Sequence, residues 1–173
     1  MKPWWGWMLV GVMGCTSETP TSEAWNAVFR VDTYRRAEGC DEPTKNIPPP
    51  QPFVGLGYGV DSIFDLEVLT MFWCETEFSC IDLPQANAWL QIAEPEEAIG
   101  EFTDAQLVAA KLCGVNYNRI VATQTAQGRM TLDVILSTPD PVPVTDEKAC
   151  LDVGTQVANT CDERFIIEAD RVQ

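Results

Sequence analysis

The segment IVATQTAQGRMTLDVILS, residues 120–137, decides the fold. In its second arm Met130, Leu132, Val134 and Leu136 alternate with Thr131, Asp133, Ile135 and Ser137, the period-two pattern of a half-buried strand. The first arm runs from Ile120 to Thr125, and Ala126, Gln127 and Gly128 form a short glycine-containing connection between the two. Arms joined this closely pair antiparallel, because a parallel pair needs a crossover of about a dozen residues or more. The spacing therefore predicts a β-hairpin and an antiparallel sheet.

The same period recurs on both sides of this hairpin. In Ile63 to Cys74, IFDLEVLTMFWC, Leu66, Val68, Thr70, Phe72 and Cys74 share one face, while Asp65 and Glu67 give way to Leu69, Met71 and Trp73 on the other. Apolar residues on both faces of its second half predict a strand covered on both sides. Glu75, Thr76 and Glu77 then lead back through Phe78 to Ile81, a hairpin tip that a Cys74–Cys80 bond would close. Ala27, Phe29, Val31 and Thr33 alternate with Val28, Arg30, Asp32 and Tyr34 to give a first strand; Ala88 to Ala93 and Glu163 to Val172 give two more. Residues 38–59 carry Pro43, Pro48, Pro49, Pro50 and Pro52 and four glycines, and read as a turn-rich connection. Its GLGYG run lacks the spacing of a nucleotide-binding loop and reads as loop or irregular strand.

One helix is expected near residues 104–113, where Thr103 to Gln106 match a capping box and Gly114 stands just past the end. Short strands, one helix and no βαβ rhythm predict a mainly β domain: an antiparallel sandwich or small barrel with one short α-helix, stapled by disulfides.

The N-terminus carries a different signal. Lys2, an apolar run from Trp4 to Met13, and small Gly14 have the layout of a secretory signal, too short for the ~20 residues that cross a bilayer. Val12, Met13, Gly14 and Cys15 resemble the lipobox of bacterial lipoproteins. That resemblance implies removal of residues 1–14 and fatty acylation of Cys15. Residues 16–24 are polar without apolar periodicity, so 15–24 reads as the lipidated end and a flexible tether, followed by a single β-rich domain over 25–173. The lipobox resemblance also implies attachment to a bacterial envelope membrane through the lipid. Thr16 stands where an aspartate would favour inner-membrane retention, which points to the outer membrane.

Composition narrows the function classes. The chain has 26 acidic against 11 basic residues, and loss of Lys2 with the leader moves the formal charge from −15 to −16. Such a surface repels nucleic acid, and the Arg35–Arg36 pair is followed at once by Glu38, Asp41 and Glu42. With Cys15 assigned to lipid, the other six of the seven cysteines, Cys40, Cys74, Cys80, Cys113, Cys150 and Cys161, can form three disulfides in an exported protein. Loop geometry favours Cys74–Cys80 and Cys150–Cys161, which leaves Cys40 with Cys113. Zinc is the competing use, but the chain has no histidine and the cysteines lack paired C-x₂₋₄-C spacing, so no metal or cofactor is expected.

Without histidine there is no Ser-His-Asp or Cys-His nucleophile system, and no serine precedes a lysine by three. Carboxylate-pair hydrolysis survives, with Asp65/Glu67 and Glu75/Glu77 each on one strand face; Asp146–Glu147 and Asp162–Glu163 read as polar loops. Phe72, Trp73 and Phe78 line either a ligand pocket or the core. The leading expectation is a lipid-anchored envelope protein with a structural or binding role and no catalysis. Trp25 near the first strand is similar in position to the G-x-W tryptophan of lipocalins, although residue 23 is Glu where they have Gly. That likeness implies a small barrel carrying an apolar ligand.

Overall fold

Eleven elements follow one another in a computed structural model describing residues 25–61, 65–81, 84–94, 96–109, 111–125, 127–157 and 161–172. They are β1 (Ala27–Glu38), β2 (Phe53–Asp61), β3 (Leu66–Thr76), β4 (Ser79–Cys80), β5 (Ala86–Ala93), β6 (Glu97–Ala109), β7 (Leu112–Gln124), β8 (Arg129–Ser137), β9 (Val142–Pro143), α1 (Glu147–Val157) and β10 (Glu163–Arg171). The expected leader, Cys15 and the tether lie outside the described residues.

Eight of the strands close into an antiparallel barrel in the order β1-β2-β3-β5-β6-β7-β8-β10, each beside its neighbours in the ring, and β10 returns to pair with β1. The barrel therefore replaces the alternative of a sandwich. The expected 120–137 hairpin is β7–β8, with register from Tyr117↔Ser137 to Gln124↔Met130. Gly128 takes φ +81°, a left-handed conformation that glycine adopts without strain, and its N–H donates to the Thr125 carbonyl.

Cross-strand partners share a face, so the registers identify the interior. Phe29, Val54, Leu69, Met71, Ala98, Ile120, Ala122, Met130, Leu132, Val134, Ile167 and Ala169 all have no exposed surface and belong to one cluster with Trp25, Trp73 and Phe165. The lower end of the barrel holds Trp25 and the β2–β3, β5–β6 and β7–β8 turns. The upper end holds segment 39–52, β4, the β6–β7 tip and the long β8–β10 connection.

Four expectations change. Residues 104–113 form no helix: β6 and β7 pair there through Asp104↔Asn116, Ala105↔Val115 and Leu107↔Cys113. Helix propensities differ by tenths of a kcal/mol per residue, whereas this ladder satisfies the backbone and lays an outer face under the real helix. That helix is α1, where Asp146 accepts a hydrogen bond from the Ala149 N–H at 2.9 Å as its N-cap, not as a polar loop. Cys150, Gly154 and Val157 press onto the outside of β6 and β7 over Val115 and Tyr117. The GLGYG run is regular strand within β2, aligned from Gly55↔Phe72 to Gly59↔Val68. In β1 a bulge between Val31 and Thr33 leaves Asp32 without a ladder partner and turns Tyr34, not Thr33, to the interior beside Ile167.

Replacing Leu132 by Ala should lower the free energy of unfolding in urea by about 2–5 kcal/mol. A loss below about 1 kcal/mol would show that the barrel interior is not packed at this level.

Candidate functional site

A barrel of eight strands is just wide enough for side chains to fill it or for one small ligand. Here side chains fill it: the inward residues without exposed surface leave no solvent-sized space beside them. At the upper end Tyr34 meets Trp73 edge-on at 5.7 Å and Phe165 at 5.9 Å. Arg36 and Glu163 pair above them, at 2.6 Å. From segment 39–52, Pro43 is fully buried, Ile47 packs on the core and its N–H donates to the Tyr34 carbonyl. At the lower end Trp25, 1% exposed, sits in the same cluster, its indole N–H unpartnered. That is the placement expected from the lipocalin likeness, but on a filled interior.

The concavity lies on the outer wall. Gly55, Gly57 and Gly59 alternate along β2 on the outward face, opposite Phe72, Thr70 and Val68 of β3. With no side chains on one strand and apolar ones on the other, the wall sinks into a groove of about 310 Å³ lined by Gly57, Gly59, Val60, Val68, Thr70 and Phe72. Phe72 and Gly55 continue it into a second hollow of about 350 Å³ that reaches Asn26, Val28, Cys80 and Arg171. Val60, 57% exposed, closes one end. The arrangement can hold a flat apolar group or an extended chain; Thr70 and Tyr58 are among its lining residues, and the Tyr58 hydroxyl donates to Glu67. The signal that could have revealed it is glycine at every second position of a strand facing an aromatic.

The expected aromatic trio divides. Trp73 is core, Phe72 is groove wall, and Phe78 stands 79% exposed at the hairpin tip. The Cys74–Cys80 bond is present as expected and sits over Gly55, whose added Cβ would lie 3.1 and 3.2 Å from the two sulfurs. The other expected pairings are wrong. Cys150 bonds to Cys113, not Cys161, because α1 lies on β7 and sets Cys150 above the outward face of Cys113. Cys40 accordingly does not reach Cys113. It stands beside Cys161 at the end of the β1–β10 ladder.

The acids act as partners on the outer wall and rim. Asp133 takes both nitrogens of Arg164, at 2.6 and 2.9 Å, and Glu168 bridges Arg35 at 2.8 Å and Arg129 at 3.3 Å. Asp162 accepts from the Thr138 N–H at 2.6 Å. Glu75, of the expected Glu75/Glu77 pair, lies beside Ser79, Cys80 and Ile81 in an open hollow next to the disulfide. Among the described residues no three of Cys, Asp and Glu converge as a metal site. The chain matches no protein-family model, and no curated protein or solved structure matches it significantly.

All three tyrosines are held neutral. The hydrogen bond to Glu67 pushes Tyr58 up to about 12, and burial raises Tyr34 and Tyr117. A raised folded value means this contribution to stability is intact below pH 10, the ordinary value, and for Tyr58 is lost as pH climbs toward about 12. Ultraviolet titration of the folded chain should show little tyrosinate at pH 10, and Tyr58→Phe should flatten part of the stability loss above it. A half-ionised tyrosine signal at that pH in the folded chain would contradict the assignment.

Proposed function

We propose that this chain is a lipid-anchored protein of the bacterial envelope that acts through its outer wall, in binding or in structure, not in catalysis. The observation that carries the reading is the filled interior plugged at both ends, beside which the glycine-floored groove of β2 and β3 is an apolar concavity on the outer wall open to a partner. A chain entering at Trp25 joins the barrel at its lower end. An anchor at Cys15 would hang the barrel by that end and turn the β6–β7 tip away from the membrane, with Leu107, Val108, Leu112 and Val142 exposed on it and on β9. The acid-dependent hydrolase is the weaker alternative, because it needs two carboxyls roughly 5–9.5 Å apart in a cleft. Asp133, Glu163 and Glu168 hold arginines, Asp162 a backbone turn and Asp146 a helix cap.

The closed eight-stranded barrel favours a second reading, the lipocalin-like carrier, since barrels of this size hold one small ligand in that family. Two measurements separate the readings. Fatty-acid labelling of the wild type but not of Cys15→Ser is expected for the anchor, and equal label in both would sink it. Titration with a fluorescent naphthalene sulfonate or a fatty acid should find no saturable interior site; one-to-one uptake that quenches tryptophan emission would instead establish the carrier.

A further inference from the structure

The β1–β10 ladder ends at Glu38↔Glu163, and the next step is still bonded, with the Gly39 N–H donating to the Asp162 carbonyl at 2.8 Å. One more step in the same register sets Cys40 opposite Cys161. The Cys40 sulfur lies 4.0 Å from the Cys161 carbonyl oxygen, and burial followed by hydrogen bonding to Cys40 pushes the Cys161 thiol up to about 12. The other four cysteines of the barrel are already bonded to one another, so this pair has only itself. Its position is particular. It joins the first and last strands of the ring across 121 residues, and ties the start of the segment bearing Pro43 and Ile47 to the end of the long upper connection.

We propose that Cys40 and Cys161 are a thiol–disulfide exchange site whose oxidised form clasps the barrel closure, with a small or protein disulfide as the donor. Exposed Cys40 attacks first, as a thiolate, and forms a mixed disulfide while one donor sulfur leaves as a thiol. Cys161 then gives up its proton and attacks the Cys40 sulfur, so the Cys40–Cys161 bond forms and the second donor sulfur leaves. Two cysteine thiols are oxidised and one donor disulfide is reduced to two thiols. Cys161 is the more enclosed of the two thiols and Cys40 the exposed one, which fixes the order of attack.

The test uses the full chain carrying Cys15→Ser, reduced and then reoxidised in a mixture of reduced and oxidised glutathione. The buffer supplies the donor, so the result does not depend on export or lipidation. Peptide mapping without reduction should recover Cys40 linked to Cys161 alongside Cys74–Cys80 and Cys113–Cys150. Recovery of Cys40 and Cys161 as free thiols while the other two bonds form would overturn the proposal. In urea, Cys40→Ser, Cys161→Ser and the double variant should lose the same increment of midpoint relative to the oxidised parent. A double variant that loses the sum of the two singles would also overturn it, because two partners of one bond cannot be additive.

Discussion

Everything in this molecule depends on β10 finding β1. Seven of the eight pairings in the ring are between neighbours along the chain, and most are closed by short turns; the eighth brings together strands at opposite ends of the domain, with register from Phe29↔Arg171 to Glu38↔Glu163. Loop-closure entropy rises only slowly with length, so the ladder and its outer ion pairs suffice to hold the seam. Arg35 on β1 reaches Glu168 on β10, which also holds Arg129 at the start of β8, so one carboxylate joins three strands. Closure removes both sheet edges from the ring, which in an open sheet would invite pairing with other chains.

Closure also dictates what the interior can be. Eight strands enclose a narrow space, and residues of very different size share it: Ala86, Ala88, Ala98 and Ala122 on β5, β6 and β7, against Phe29, Met71, Trp73 and Phe165 elsewhere in the ring. The alanine wall allows close approach, and at Gly100 an added Cβ would lie 2.8 Å from the Ala88 Cβ. Bulky side chains from the opposite wall then meet across the axis. A cavity would need smaller residues on both sides at one level. What stays open is the outer surface, one part of which is already covered by α1, where Gly154 brings the helix against Ala105.

The parts of the fold readable from sequence are those where one face meets the core and the other meets water or a thin cover. In β8 and β10 each inward apolar residue is followed by an outward one, and in β3 the two faces were assigned correctly down to Trp73 and Cys74. Reading failed where tertiary contacts overrode local preference. Residues 103–113 have a good capping box, yet a ten-residue helix standing alone is marginal in water, and β7 and α1 offered the strand a partner and a cover. Cys150, Val153, Gly154 and Val157 do carry helical spacing, but a central glycine and two valines mask it. The cysteine pairing could not be read because it follows from where α1 lands. The bulge at Asp32 has no sequence signature at all, although it decides which of Thr33 and Tyr34 enters the core and leaves the Thr33 hydroxyl buried without a partner.

The three outward glycines of β2 are not equivalent. At Gly55 the disulfide sulfurs would lie 3.1 and 3.2 Å from a Cβ, so packing accounts for it, whereas at Gly57 the Phe72 ring at 3.4 Å would be in ordinary contact. At Gly59 nothing lies within 4 Å, and its backbone is not among those with positive φ. Neither crowding nor conformation requires glycine there, and in a strand interior glycine weakens the element by roughly 0.5–1 kcal/mol relative to alanine. What its bare backbone does provide is an open floor between Val60 and Val68, at the end of the groove nearest the point where the chain enters the barrel. The groove is therefore floored by one glycine that the disulfide requires and by two, Gly57 and Gly59, whose surroundings leave room for a Cβ.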